Sequence, residues 1–262
     1  MYSNEKNIDT SSAMTFDPKY DMISFENKPT VRPGCKDIWN AFMVDGAIFG
    51  KHDIPFCPTT ATSLPKQMVT WEEAKQLHKK RLSKGESDYH EDAFVNWYLD
   101  DYKFDGVHGI WHDYDQVLRI LRHFSGAITP DFSTYQDFPE AVKTYATYRM
   151  RAYGYWLGKN GISIINNVRW GTEETYNYCF EGIPTYSVVA IGTVGGGPRL
   201  LVNRSRFEKG LFRMVEVLKP HTILVYGSGN GDCFDTLRKI GIKIISFQSR
   251  TAKVYEGRKH HE

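Results

Sequence analysis

The sequence predicts a parallel α/β fold, either a β/α barrel or an incomplete relative of one, with an open doubly wound parallel sheet as the alternative. Two observations carry this. Short β-rich runs at residues 94–101, 126–133, 162–170, 187–194, 222–227 and 242–249 each end in polar or glycine-rich residues and hand over to a helix-like stretch. At 262 residues the chain is also long enough for a full α/β core. Parallel sheets of this kind place ligands at the carboxyl ends of their strands, so those ends are where a site is expected.

Taken in order, residues 1–33 are polar and broken by Pro18, Pro29 and Pro33, and read as an N-terminal arm. Residues 34–249 form the single α/β domain, and 250–262 a basic tail. A first strand is expected at 46–50, before an irregular crossover with Pro55, Pro58 and Pro65. A charged helix follows from about Thr70 to Ser83, where Thr70 and Glu73 have the spacing of a capping box. The best-signalled helix spans about 139–158, with Pro139 early, Asp137 as a possible cap and glycines at its end. Along it Ala141, Tyr145, Tyr148, Ala152, Tyr155 and Trp156 recur at helical spacing and predict an apolar stripe. Arg149 and Arg151 flank that stripe; interleaved Tyr and Arg also suit nucleobase stacking and phosphate binding, though core packing is the simpler account.

Charge is nearly balanced, 33 Lys and Arg against 31 Asp and Glu, so no global field demands nucleic acid or an anionic membrane. The four cysteines lack any C-x-x-C pair, which disfavours a zinc knuckle or disulfide framework and suits a reducing compartment. No run approaches the length of a bilayer span and the first dozen residues lack a signal-peptide core, so a cytoplasmic protein is expected.

Six motifs occur in order: Thr129-Pro130-Asp131-Phe132-Ser133, Tyr148-Arg149-Met150-Arg151, Asn167-Val168-Arg169-Trp170, Cys179-Phe180-Glu181-Gly182-Ile183-Pro184, the 189–195 run and Val225-Tyr226-Gly227. Over residues 94–230 the chain thereby resembles the domain-of-unknown-function 4417 family of bacterial and phage proteins. That family carries no established activity, so the resemblance implies a phage or mobile-element setting and no mechanism.

The candidate site gathers at the expected sheet edge. Asp100 and Asp101 close the 94–101 run, and strand alternation lets only one point into a cavity easily. Asp131 and Ser133 follow Pro130, which ends a strand; Asp131 has the chemistry of a general base or metal ligand, or equally of a turn cap. Asn167, Arg169 and Trp170 end the next run, with Arg169 as a bidentate anion clamp and Trp170 as a cover for a planar ligand, unless Arg169 pairs with Asp131. Two glycine-rich loops extend the edge. Thr193, Gly195 and Gly196 precede an expected helix start at Ser205 and Glu208, and Tyr226 opens a turn through Asp232 that resembles a nucleotide-binding loop but lacks the acidic partner on the following strand. His108 and His112, four apart, share a face only if helical; no metal site is assigned, and no cofactor is identified. The expectation is an enzyme acting on a phosphate-bearing small molecule or nucleotide. The alternative is a non-catalytic phage or mobile-element protein contacting nucleic acid or a host protein.

Overall fold

In a computed structural model the chain is described over residues 39–194 and 201–253, the side chains of 201 and 202 excepted. The N-terminal arm, the loop holding Gly195 and Gly196 and most of the basic tail lie outside these residues. Seven strands form one parallel sheet: β1 (Met68–Thr70), β2 (Glu91–Asn96), β3 (Phe124–Ile128), β4 (Ile164–Asn167), β5 (Val188–Gly192), β6 (Thr222–Tyr226) and β7 (Lys243–Phe247). Between them run α1 (Trp71–Ser83), α2 (Tyr114–Leu121), α3 (Glu140–Lys159), α4 (Leu201–Leu218) and α5 (Asp232–Lys239).

Strand order follows chain order from β1 to β7 without reversal. Crossovers of one hand then place the helices on one face, and the sheet curls around the other into a half-barrel. This order has no switch point, which sets aside the doubly wound alternative. β1 and β7 do not pair. Near the sheet's open side, Arg250, just past β7, donates to Glu72 at the start of α1 at 2.8 Å.

Burial on both faces explains the strand compositions. β6 reads Thr-Ile-Leu-Val-Tyr and is buried throughout, as expected where helices cover one side and the curled sheet the other. Alternation divides the residues: Ile223 and Val225 face α4 and α5 with Leu211, Met214, Phe234 and Leu237, while Leu224 and Tyr226 join Met68, Phe94, Tyr98, Ile128 and Ile165 inside the curl. Gly192 is needed there, since a Cβ would lie 2.6 Å from the Tyr98 ring.

Several expectations need correction. Residues 46–50 form no strand; Phe49 makes only an isolated antiparallel bridge to Pro55, and the first strand is β1, short and directly before the α1 cap. The segment is apolar because it packs on α3. The α1 capping box is present, with Thr70 Oγ1 accepting from the Glu73 amide at 3.3 Å. α4 already runs from Leu201, so Ser205 and Glu208 lie inside it. Asp137 makes no cap; Pro139 holds that position on α3. Residues 106–112 are turns, so His108 and His112 share no helical face.

The α3 stripe is also displaced. Its sheet-facing residues are Ala146, Met150, Tyr153 and Leu157, while Ala141 and Tyr145 are exposed and Tyr148 and Tyr155 half-buried. A tyrosine goes where its hydroxyl finds a polar partner: Tyr155, on the flank, donates to the Asp45 carbonyl at 3.3 Å, and Tyr153, in the core, to the Ile110 carbonyl at 3.0 Å. Trp156 does belong to the core, edge-on to Tyr114 and Phe42. Trp156→Ala should therefore cost roughly 3–5 kcal/mol in urea unfolding, and Tyr148→Ala distinctly less. Equal losses would contradict this placement of the helix.

Candidate functional site

The carboxyl ends of β2, β3 and β4 are joined by one chain of side-chain hydrogen bonds. Tyr98, two residues past β2, donates its hydroxyl to Asn167 Oδ1 at 2.9 Å. Asn167, the last residue of β4, donates through Nδ2 to Asp131 Oδ1 at 2.8 Å. Asp131, just past β3, accepts from Arg169 Nη1 on its other oxygen at 2.6 Å. Strand alternation sets up this arrangement: Asn166 turns outward, donating to the Cys57 carbonyl, and Asn167 turns inward. Pro130 takes Asp131 out of the ladder, so its carboxylate is free to meet the β4 residues.

The ion pair is well enclosed, with Asp131 and Arg169 side chains 11% and 27% exposed. Burial works against the Arg169 charge, but Asp131 and then Asp101 outweigh it and raise its pKa. Burial, reinforced by the Asp131 charge, holds the Tyr98 hydroxyl well above its ordinary pKa, so it stays a proton donor. Asp131 and Arg169 are thus paired, as the structural alternative for these residues required.

Asp100 and Asp101 lie four and five residues beyond the end of β2, so strand alternation does not set their directions, and neither lines the cleft that Arg169 and Asp131 open onto. Asp100 is 69% exposed beside Lys103, whereas Asp101 is half-buried and accepts from Ser133 Oγ at 2.8 Å. Burial raises the Asp101 pKa, with the Ser133 bond and Arg169 opposing it.

Arg169 and Asp131 open onto a cleft of about 360 Å³, whose other walls include Tyr135, Trp170, Arg206 and Phe207. Trp170 packs on Phe207 at 5.5 Å between ring centres, and the Arg169 guanidinium lies 5.7 Å from the Tyr135 ring centre. Thr134 also borders the cleft, and its buried hydroxyl has no hydrogen-bond partner among the described residues. Asp101 and Ser133 do not line the cleft; they stand behind the ion pair.

The other expected residues have different settings. Arg149 makes a bidentate pair with Asp105 at 2.8 and 2.9 Å, its guanidinium 3.9 Å from the Phe132 ring centre. Tyr226 is buried inside the curl, stacked on Tyr98 at 5.4 Å, and accepts from the Arg250 amide. Thr193 ties its loop to the 226–232 turn by donating to the Ser228 carbonyl at 3.1 Å. Gly195 and Gly196 lie outside the described residues. No cluster of three metal-binding side chains occurs among the described residues. Sequence reasoning missed Tyr98, Tyr135, Arg206 and Phe207. For Tyr98 a signal existed, the period-two spacing from Phe94; Arg206 and Phe207 arrive from α4, which no local pattern ties to β4.

Replacing Asp131 by Asn should leave Arg169 without its counter-charge and lower the urea midpoint at unchanged slope, by on the order of 1–3 kcal/mol. An unaltered midpoint would mean that the pair does not support the fold.

The Domain of unknown function (DUF4417) family matches residues 47–248. Among curated proteins, a Gene 1 protein of Mycobacterium phage D29 is 28% identical over 198 residues, covering 76% of this chain and 68% of that protein. A Gene 1 protein of Mycobacterium phage L5 is 32% identical over 133 residues, covering 51% of this chain and 56% of that protein. No solved structure matches. Among the described residues, no helix is long and apolar enough to cross a membrane.

Proposed function

We propose that this chain, which belongs to the domain-of-unknown-function 4417 family, is an enzyme that binds a phosphate-bearing small molecule or nucleotide at the carboxyl edge of its half-barrel sheet. The observation that carries the reading is the Arg169 guanidinium, held by Asp131 through Nη1 alone and bordering a cleft with a second cation, Arg206, and aromatic rings. Among the described residues no hydrogen bond occupies the remaining donors of Arg169, which suit two oxygens of one phosphate. Trp170, Phe207 and Tyr135 supply apolar and aromatic surface for a planar base or sugar face. The cleft volume falls within the roughly 300–1,000 Å³ typical of small-ligand sites.

Within this reading Asp131 has two successive tasks. It fixes the Arg169 rotamer through Nη1. A bound phosphate competes for the guanidinium, and the Oδ2 it releases then accepts a proton from the ligand or a water. Asp101 does not reach the cleft; its part is to favour the charged form of Arg169 from outside it.

A second reading, a non-catalytic phage protein that contacts nucleic acid or a host protein, draws on the phage relatives and the exposed rings of Trp39 and Tyr145. Calorimetry with pyrophosphate and ATP separates the two when followed by phosphorus NMR for turnover. Arg169→Lys keeps the charge but loses the planar fork, and should weaken binding by about tenfold, which corresponds to about 1.4 kcal/mol. Equal affinity in wild type and variant would remove the clamp, and binding without turnover would favour the non-catalytic reading.

A further inference from the structure

A second concavity, of about 580 Å³, lies against the opening half of α3, apart from the Arg169 cleft. Its walls include the rings of Trp39, Phe49, Tyr145 and Tyr148, and its rim carries Asp45 and Asp53. The tyrosine rings are near-parallel at 6.1 Å, and Trp39 is 6.4 Å from Tyr148. None of the lining residues is a lysine or an arginine, although Lys159 lies 3.8 Å from Asp45 outside the hollow. His52 is the one lining residue able to become cationic, and Glu181 holds it, Nδ1 to Oε2 at 2.7 Å, so a buried carboxylate offsets any charge it gains. Asp53 is exposed in a turn in which it adopts φ +58°, a left-handed conformation that Asp tolerates better than most residues, and it lines the hollow.

Rings attract cations through their negative faces, and carboxylates at the rim complete an environment complementary to positive charge and hostile to anions. One wall ring already meets a cation: the Arg149 guanidinium, itself paired with Asp105, lies 5.2 Å from the Tyr145 ring centre. The geometry points to a binding site for a small organic cation, an alkylammonium group whose apolar substituents fill the hollow while its charge faces the rings and the Asp45–Asp53 rim. This site is independent of the phosphate reading of the Arg169 cleft. It differs from that cleft in charge and in ligand class.

The test uses the full chain and two probes of nearly equal shape, choline and its uncharged counterpart 3,3-dimethylbutan-1-ol, with dissociation constants from calorimetry or saturation-transfer NMR. Choline should bind saturably and the alcohol at least about tenfold more weakly, since a tenfold ratio is the scale of one desolvated cation–ring contact. Tyr145 is 41% exposed, so Tyr145→Leu should leave the melting temperature nearly unchanged yet weaken choline several-fold. Asp53→Asn, which the left-handed turn accommodates, should do the same. Equal binding of alcohol and choline would mark the hollow as an apolar docking face for a neutral partner or a second copy, and would overturn the proposal. So would absence of saturable choline binding, or a folded Tyr145→Leu protein that binds choline as wild type does.

Discussion

A guanidinium buried without a carboxylate partner among the described residues ties the molecule together. Arg151 of α3 is wholly inaccessible and donates to three backbone carbonyls: Asn167 at 2.9 Å, Cys179 at 3.2 Å and Glu181 at 3.2 Å. Burial of the charge is costly, and it lowers the Arg151 pKa to about 10. An acceptor for each of its three nitrogens makes that tolerable, so the helix, the end of β4 and the 179–181 segment hold one relative position. α3 must also lie close. Gly154 permits this, since a Cβ there would meet Thr129 Cγ2 at 2.4 Å and Cys57 Sγ at 2.7 Å.

The same constraint reaches the candidate site through a single residue. Arg151 fixes the carbonyl of Asn167, the Thr129 hydroxyl accepts its amide proton at 2.8 Å, and its side chain continues the line from Tyr98 to Asp131 and Arg169. Asn167 has its main-chain and side-chain polar atoms engaged and almost no freedom to move. Hydrogen bonds in so dry a setting reinforce one another, and loss of one member leaves its neighbours unsatisfied. Arg169, at the end of such a chain, is held in one position, as the proposed role of an anion clamp would require.

The two concavities differ in charge on one scaffold. The cleft at the strand ends presents Arg169 and Arg206 with the carboxylates Asp131 and Asp137, whereas the hollow on α3 has aromatic walls, acidic rim residues and no arginine or lysine in its lining. A nearly neutral chain therefore carries one cleft where arginines and carboxylates balance and one hollow bordered by carboxylates alone, a difference that net charge by itself conceals.

The sequence by itself determined the parallel α/β class, the order of six of the seven strands and the α1 cap, because these rest on local periodicity and on capping chemistry within a few residues, although β2 and β3 each end five residues before the expected runs do. It also singled out Asp131, Asn167 and Arg169, since polar residues at strand ends stand out against apolar runs. It misplaced the first strand, because residues 46–50 have strand-like composition for a different reason, their packing on α3. Only the tertiary structure decided that Asp131 pairs with Arg169, that Asp101 turns inward while Asp100 faces solvent, and that Arg149 is absorbed by Asp105 and Phe132. The polar pairings Asp101–Ser133, Asp131–Arg169 and Asp105–Arg149 join residues 32, 38 and 44 positions apart. No local pattern encodes such a partner, since the distance between strand ends is set by the order and curl of the whole sheet.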